Sequence, residues 1–503
     1  MVSSRVAILT LAPIFLFSAA SCLFAEAIQS ADKNKEALAY NVSGSDKYGK
    51  GDFDGAITDY DQAVILNPHL AKAYYNRGLA KYDKGQLKEA VADYDQAIQI
   101  NPRYEDAYVN RGLAKDNLSD LDGAIADDNE ALKLDSKDPY AYNNRGWAHY
   151  RKGDLDAAIQ DYNQAILLNS QLAQPYNDRG VAEKEKGETA KAIADYTQAL
   201  VLDPDDSQAY YNRALVHNEL GNTNGALADY DQALRIDPKY TDAYINRGEV
   251  KADTEDWSGA VADFTQALAL NPKNAGVYNA RGLASYHKGD ANAAFNDYNQ
   301  AIAIDPKSSD AYCNRGNIEK DLSNLDAALS DYNLALQIDS QSTNGYNNRG
   351  IIKQLRKDYA GALADYTQAL QYDSKNAEAY SNLSSLSEAQ GDWDGAILNA
   401  NKALLLAKNF AQALNNRGVA LYHKHDLAGA LADYDRALQI DPNDDHAYNN
   451  RGLAEQAKGD LEGAVMDYDL AIQINPQCSQ AQHNRAWAKW SQGNVFGALA
   501  DLF

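Results

Sequence analysis

The sequence predicts an all-α solenoid of antiparallel helix pairs, and three observations carry that prediction. The first is a fixed period. Arg77, Arg111, Arg145, Arg179, Arg213, Arg247, Arg281, Arg315 and Arg349 follow one another every 34 residues, and Arg417, Arg451 and Arg485 resume the register after Leu383. The second is the recurrence of apolar and small residues at i, i+3 and i+4 inside each period, which marks amphipathic helices. The third is a set of helix positions that are small in every copy. With Ala37 as position 1 the arginine occupies position 7, Ser43 fills that slot in the first copy, and fourteen copies run to Phe503, the last cut short. A constant period over this length describes one quasi-linear stack, not several globular domains, and leaves no room for a separate catalytic domain.

Each element of a copy has its own sequence signal. In residues 71–104, Tyr74, Gly78 and Tyr82 form the first helix, Lys84-Gly85-Gln86 turns the chain, and a second helix runs through Ala90, Tyr94 and Ala97 to Asn101-Pro102. Glycine ends the first helix and proline the second. Position 20 is alanine from Ala56 to Ala498, position 27 is alanine from Ala63 to Ala471, and position 8 is always Gly, Ala or Ser. Such strict smallness requires close approach of helix backbones. Tyrosine at position 4 and an aromatic at position 24 fill the space beside those contacts, which makes most of the 34 tyrosines core material.

Only the start departs from the period. Arg5 precedes an apolar run from Val6 to Phe17, and small residues lead to Ala25-Glu26-Ala27. This pattern is that of a secretory signal peptide, residues 1–27, followed by a lead-in at 28–36. The run is too short for a stable membrane span, and the expected location is secreted or periplasmic. Lipoprotein anchoring at Cys22 is the alternative, against which stands Ala19, where that motif usually has a branched aliphatic residue. Cys313 and Cys478 lie nearly five copies apart, beyond disulfide reach within one stack.

These residues resemble the tetratricopeptide repeat family, whose pattern has an aromatic at position 4, Gly at 8, aromatics at 11 or 12 and at 24, Ala at 20 and 27, and Pro at 32. The resemblance covers residues 37–503. It implies a right-handed superhelix whose first helices line a concave groove that holds proteins or peptides, and it implies no catalysis.

Two departures from the family pattern stand out. Arginine replaces the usual leucine at position 7, and position 23 is Asp in every copy except Asn399, in the same copy as Leu383. The joint loss points to an ion pair between these positions, either within one repeat or from the Asp of one repeat to the Arg of the next. Repeat 11 also carries Ser384 at the small position and Ala400 in the aromatic slot, which predicts a softer stretch near 377–410.

Position 6 is asparagine in eleven copies: Asn76, Asn110, Asn144, Asn212, Asn246, Asn314, Asn348, Asn382, Asn416, Asn450 and Asn484. Val42, Asp178 and Ala280 interrupt the row. A carboxamide donates and accepts at once, so a row along the inner wall could grip an extended backbone without reading side chains. The row resembles the asparagine ladder in the repeat domain of O-linked N-acetylglucosamine transferases, although no transferase domain follows. The alternative is that these amides bond from helix to helix. No copy carries Lys at position 5, so the carboxylate clamp of the chaperone-binding members is missing.

Net charge is −24, with 71 acidic against 47 basic residues, which disfavours a phosphate backbone and hence nucleic acid. On the expected inner wall Asp83, Asp106, Glu185, Glu219, Asp242, Glu249, Asp253 and Asp310 outnumber Lys72, Arg151, Lys184 and Lys320, which favours neutral or basic partners. Histidines His423 and His425 lack the ligand set of a metal site, and no residue stands out as a nucleophile or acid–base pair, so neither cofactor, metal nor enzymatic activity is expected. The sequence therefore predicts a peptide- or protein-binding scaffold of the envelope or secreted space. The alternative is a structural protein that self-associates through its apolar C-terminal end.

Overall fold

In the computed structural model residues 12–502 are described, with backbone only for 12–28, Ala500 and Leu502. Residues 1–11 of the expected leader therefore lie outside the described residues. The described residues form helices joined by short turns, and the chain divides into two compact units, residues 1–243 and 244–503.

The first unit contains α1 (Ala12–Tyr48), α2 (Phe53–Leu66), α3 (Ala71–Asp83), α4 (Leu87–Ile100), α5 (Glu105–Asn117), α6 (Leu121–Leu134), α7 (Pro139–Arg151), α8 (Leu155–Leu168), α9 (Ala173–Glu185), α10 (Thr189–Leu202), α11 (Ser207–Glu219) and α12 (Thr223–Ile236). The boundary falls in α13 (Thr241–Asp253). The second unit continues with α14 (Trp257–Leu270), α15 (Ala275–His287), α16 (Ala291–Ile304), α17 (Ser309–Asp321), α18 (Leu325–Ile338), α19 (Thr343–Leu355), α20 (Tyr359–Tyr372), α21 (Ala377–Ala389), α22 (Trp393–Leu406), α23 (Ala411–His423), α24 (Leu427–Ile440), α25 (Asp445–Lys458), α26 (Leu461–Ile474), α27 (Ser479–Ser491) and α28 (Val495–Leu502). Odd-numbered helices are the first helices of the repeats and even-numbered ones the second. Within each unit every helix packs on its neighbours in sequence, the all-α stacking of helix pairs that the period predicts. The lead-in at 28–36 is helical and continuous with the first helix of repeat 1. No helix among the described residues is long and apolar enough to cross a membrane.

Local chemistry sets the ends of the helices. Asp52 accepts a hydrogen bond from the Gly55 amide at 2.9 Å, and Asp120, Asp154, Asp256, Asp290, Asp358, Asp392, Asp426 and Asp460 cap their second helices in the same way. At the other end, Asn67 and Asn101 accept from the amide two residues on, a turn that diverts the chain toward the next repeat. Position 15 adopts a left-handed backbone in every repeat. Nine copies use glycine there, while Ser119, Glu255, Ser323, Lys357 and His425 hold φ between 61 and 64°. Tertiary packing imposes this turn even where the residue resists it.

The core is one repeated contact. A Cβ at Gly78 would lie 2.6 Å from the Tyr94 ring, and Gly146, Gly180, Gly282, Gly350, Gly418 and Gly452 meet the position-24 ring of their own repeat as tightly. The ring, together with the buried alanines at positions 20 and 27, sits between the two helices of the pair. Burying each such ring stabilises the pair by about 1.5–3 kcal/mol.

Candidate functional site

All twelve position-7 arginines form a two-pronged pair with the position-23 aspartate of their own repeat. In Arg213, Nε and Nη2 donate to Asp229 at 2.8 and 2.7 Å, and in Arg315 the same atoms reach Asp331 at 2.8 and 2.7 Å. The alternative pairing to the next repeat is not what forms. Asp59 takes Ser43 and Lys47 of its own repeat, while Arg77 binds Asp93. The third prong does cross between repeats, since Nη1 of Arg111, Arg145 and Arg315 donates to position 25 of the preceding copy (Asp95, Asn129 and Asn299). In ten repeats the guanidinium also lies over the position-4 tyrosine ring, as Arg77 does over Tyr74 at 5.3 Å. Each arginine thus ties two helices of one repeat to the repeat before it, a structural task that engages all three of its nitrogens.

The asparagine row divides in two. The side-chain Nδ2 of Asn76, Asn110, Asn212, Asn314, Asn416, Asn450 and Asn484 donates to position 5 of the preceding first helix. The acceptors are Asn41, Tyr75, Asn177, Asn279, Ser381, Asn415 and Asn449, at 2.8–3.1 Å. These amides hold neighbouring first helices in register, and Oδ1 of Asn212 and Asn450 accepts from Gln208 and Asn449. Asn144, Asn348 and Asn382 make no such bond among the described residues, and Asn246 takes part in an interaction of its own. Asn212, Asn382 and Asn416 are buried, while the other eight are partly exposed on the first-helix face. In the second unit Asn279, Asn314, Asn347 and Asn348 line a pocket of ≈ 540 Å³ together with Asp310 and Glu378.

The first unit holds a site that the sequence pattern had not revealed. Position 24 carries Asp128 in repeat 3, where eleven other copies have an aromatic ring. Position 12 of the same repeat is Asp116, where other copies often have tyrosine, and Asp178 replaces asparagine at position 6 of repeat 5. The helices α5, α6, α7 and α9 bring the three carboxyls to one open-mouthed cavity of ≈ 240 Å³. Asp128 is 1% exposed and neither of its oxygens has a hydrogen-bond partner among the described residues. Burial, and next the neighbouring Asp127, push its carboxyl well above the usual range, against the pull of Arg145. Burial also raises Asp178 to about 6, partly offset by hydrogen bonds from Asn143, Gln174 and Asn177. The missed signal was two aromatic slots of one repeat turning acidic together.

No group of three or more His, Cys, Asp or Glu among the described residues is placed to hold a metal ion. His423 instead stacks on Trp393 with ring centroids 4.0 Å apart, and His287 on Trp257 at 4.5 Å. Cys313 and Cys478 are both free and buried.

Among solved structures, the chain is similar to the APC/C hetero-tetramer Cut9-Hcn1 at 15% identity, covering 90% of this chain and 96% of that one with a TM-score of 0.48. Yeast Tom70 is similar at 16% identity, covering 92% and 96% with a TM-score of 0.37. A tetratricopeptide repeat protein from Parabacteroides merdae is similar at 22% identity, covering 50% and 98% with a TM-score of 0.39. No match was found among curated proteins. Profiles described as TPR repeat or tetratricopeptide repeat match residues 44–172, 177–241, 282–342, 355–408 and 411–478. With the helix pairs, the ring-on-glycine contact and these matches together, the chain belongs to the tetratricopeptide repeat family.

Proposed function

We propose that the protein is a non-catalytic adaptor that holds an extended segment of a partner protein against the first-helix faces of its units. The observation that carries this reading is the row of partly exposed position-6 amides, in which one N–H of most is tied to the preceding repeat while Oδ1 of Asn76 and Asn314 accepts no hydrogen bond among the described residues. Acceptors at regular spacing suit the amide N–H groups of an extended backbone. Acidic residues flank the row, with Glu105, Asp106 and Asp138 beside Asn110 and Asn144, and Asp310 and Glu378 beside Asn314 and Asn348. Neutral or basic segments are favoured on that ground. The run Arg5, Val6–Phe17 and Ala25-Glu26-Ala27 supports placing this adaptor in the periplasm or outside the cell.

The test uses the two partly exposed amides with no inter-helix bond. Asn144→Ala with Asn348→Ala is expected to abolish capture of the partner from an envelope fraction while helicity stays unchanged. Capture at wild-type level by this variant would overturn the proposal.

A second reading rests on α27 and α28, where Trp487, Trp490 and Phe496 are 63, 54 and 89% exposed. An apolar face of this kind suits self-association. Sedimentation should then show a concentration-dependent mass that Trp490→Glu with Phe496→Glu removes, and a constant monomer mass would count against it.

A further inference from the structure

Asp128 lies in the slot that elsewhere holds a ring, and its carboxyl does not replace the ring's volume or its contacts. The result is the ≈ 240 Å³ cavity whose lining includes Leu113, Asp116, Asp128, Asn143, Trp147 and Asp178. Four buried oxygens there have no partner among the described residues: Asp116 Oδ1, both oxygens of Asp128, and Asn143 Oδ1. Every one of them accepts hydrogen bonds, and no lysine or arginine lines the cavity. The cations nearby are already engaged. Arg145 is held by Asp161 and Asn129, and Arg151 donates to the Asp116 carboxyl and backbone at 2.9 and 2.7 Å.

An acceptor-only, acidic cavity calls for an occupant that brings positive charge and several N–H donors. A bare metal ion does not match, because the carboxyls are not grouped for coordination. The indole of Trp147 and the side chain of Leu113 add an apolar wall and a π face, which suit an alkyl stem and a cationic head. The approach is acidic as well, since Glu105, Asp106 and Asp138 line one adjoining pocket, with Lys137 the cation among them, and Asp203 and Asp206 line another. We infer that this cavity is a receptor for an organic monocation, an alkylammonium or alkylguanidinium, whose N–H groups donate to these acceptors while its stem lies along Leu113 and Trp147.

Proton linkage gives the binding a signature. Asp128 faces Asp127, Arg145, Asp161 and Asp116, and burial raises its carboxyl, so the empty cavity holds that proton to higher pH than a free carboxyl does. An arriving cation displaces that proton, so affinity rises with pH and complex formation releases protons. The chemistry is the same whether the cation is a free amine or a lysine or arginine side chain of a partner. In the second case the inference rests on the adaptor reading.

Calorimetric titration of the purified full chain tests it, with n-butylammonium and n-butylguanidinium chloride as free cations. A serine-rich peptide carrying one lysine and its norleucine counterpart serve as the side-chain probes. Binding of at least one cation, tighter at pH 8 than at pH 5, is expected. Asp128→Tyr, which restores the ring of other repeats, should abolish it with helicity intact. Asp128→Asn, which keeps the cavity, should weaken it roughly 10- to 100-fold, the range of a charge-assisted hydrogen bond. A lysine peptide that outbinds both butylammonium and the norleucine peptide identifies a partner's side chain as the source. Butylammonium binding without lysine-peptide binding identifies a free amine. No binding of either cation or of the lysine peptide to the wild type, or equal binding by Asp128→Tyr, overturns the inference. Failure of the adaptor reading is separate, because Asn348→Ala, which lies outside this cavity, can leave capture untouched while the wild type still binds butylammonium.

Discussion

Repeats 3 and 11 both lack the position-24 ring, and they respond in opposite ways. Repeat 11 has Ala400, fully buried, and the helices around it close in: α21 and α23 pack directly on each other, with Leu386 and Leu414 buried among them. Ser384, in the slot of the glycine, donates to the Ala396 carbonyl at 2.8 Å. In repeat 3 the carboxyl of Asp128 keeps the space open. An apolar gap gains dispersion contacts by shrinking, whereas a carboxyl without a partner loses solvation by the same movement. The stack therefore absorbs an apolar deletion and turns a polar one into a site.

The ion pair offers the largest test of that comparison. Repeat 11 lacks both Arg and Asp, so transplanting only half of its loss should fail. Arg315→Leu strands the buried Asp331 and is expected to destabilise the second unit by about 3–5 kcal/mol, with Asp331→Asn added to it restoring much of the loss. Equal costs for the single and double variants, read by urea denaturation, would show that the two residues are not coupled.

Filling the repeat 3 cavity comes next. Asp128→Tyr should stabilise the first unit by about 2–3 kcal/mol, the worth of one buried ring. A loss of stability would mean that the surrounding residues have lost the shape that accepts it.

The third test uses pH in repeat 11. Burial pushes Glu388 up to about 7, above its unfolded value, so the folded state holds the extra proton. Its stability contribution is therefore undiminished below the unfolded value and declines as pH rises toward 7. Glu388→Gln should raise stability by about 2 kcal/mol at pH 8 and leave it unchanged at pH 4, and a pH-independent effect would show that charge is not the cause. Hydrogen exchange across repeats 10 to 12 gives a parallel readout, with uniform protection ruling out the softer stretch expected there.

The smallest effect separates the ring from its hydroxyl. The Tyr94, Tyr162 and Tyr196 hydroxyls are buried without hydrogen-bond partners among the described residues, and Phe264 occupies the same slot in repeat 7. Tyr94→Phe should be neutral or stabilising by about 1 kcal/mol in thermal denaturation. A clear destabilisation would reveal a partner for the hydroxyl.

By itself the sequence determined whatever repeats. Helix pairs, turn positions, the small and aromatic slots of the core and the coupling of Arg with Asp all recur every 34 residues, so independent copies of each signal agree, while the structure showed that the small position 8 meets the position-24 ring. Tertiary structure alone decided that each arginine takes position 23 of its own repeat and not of the one before, and that its third nitrogen reaches position 25 of the preceding copy, a contact that exists only after stacking. It likewise decided that most position-6 amides spend a donor on the preceding helix, a bond spanning 35 residues that no local pattern encodes. The cavity at Asp128 was invisible for the opposite reason. A repeat pattern averages over its copies, while a site arises where one copy departs from it and three neighbouring helices meet around the departure.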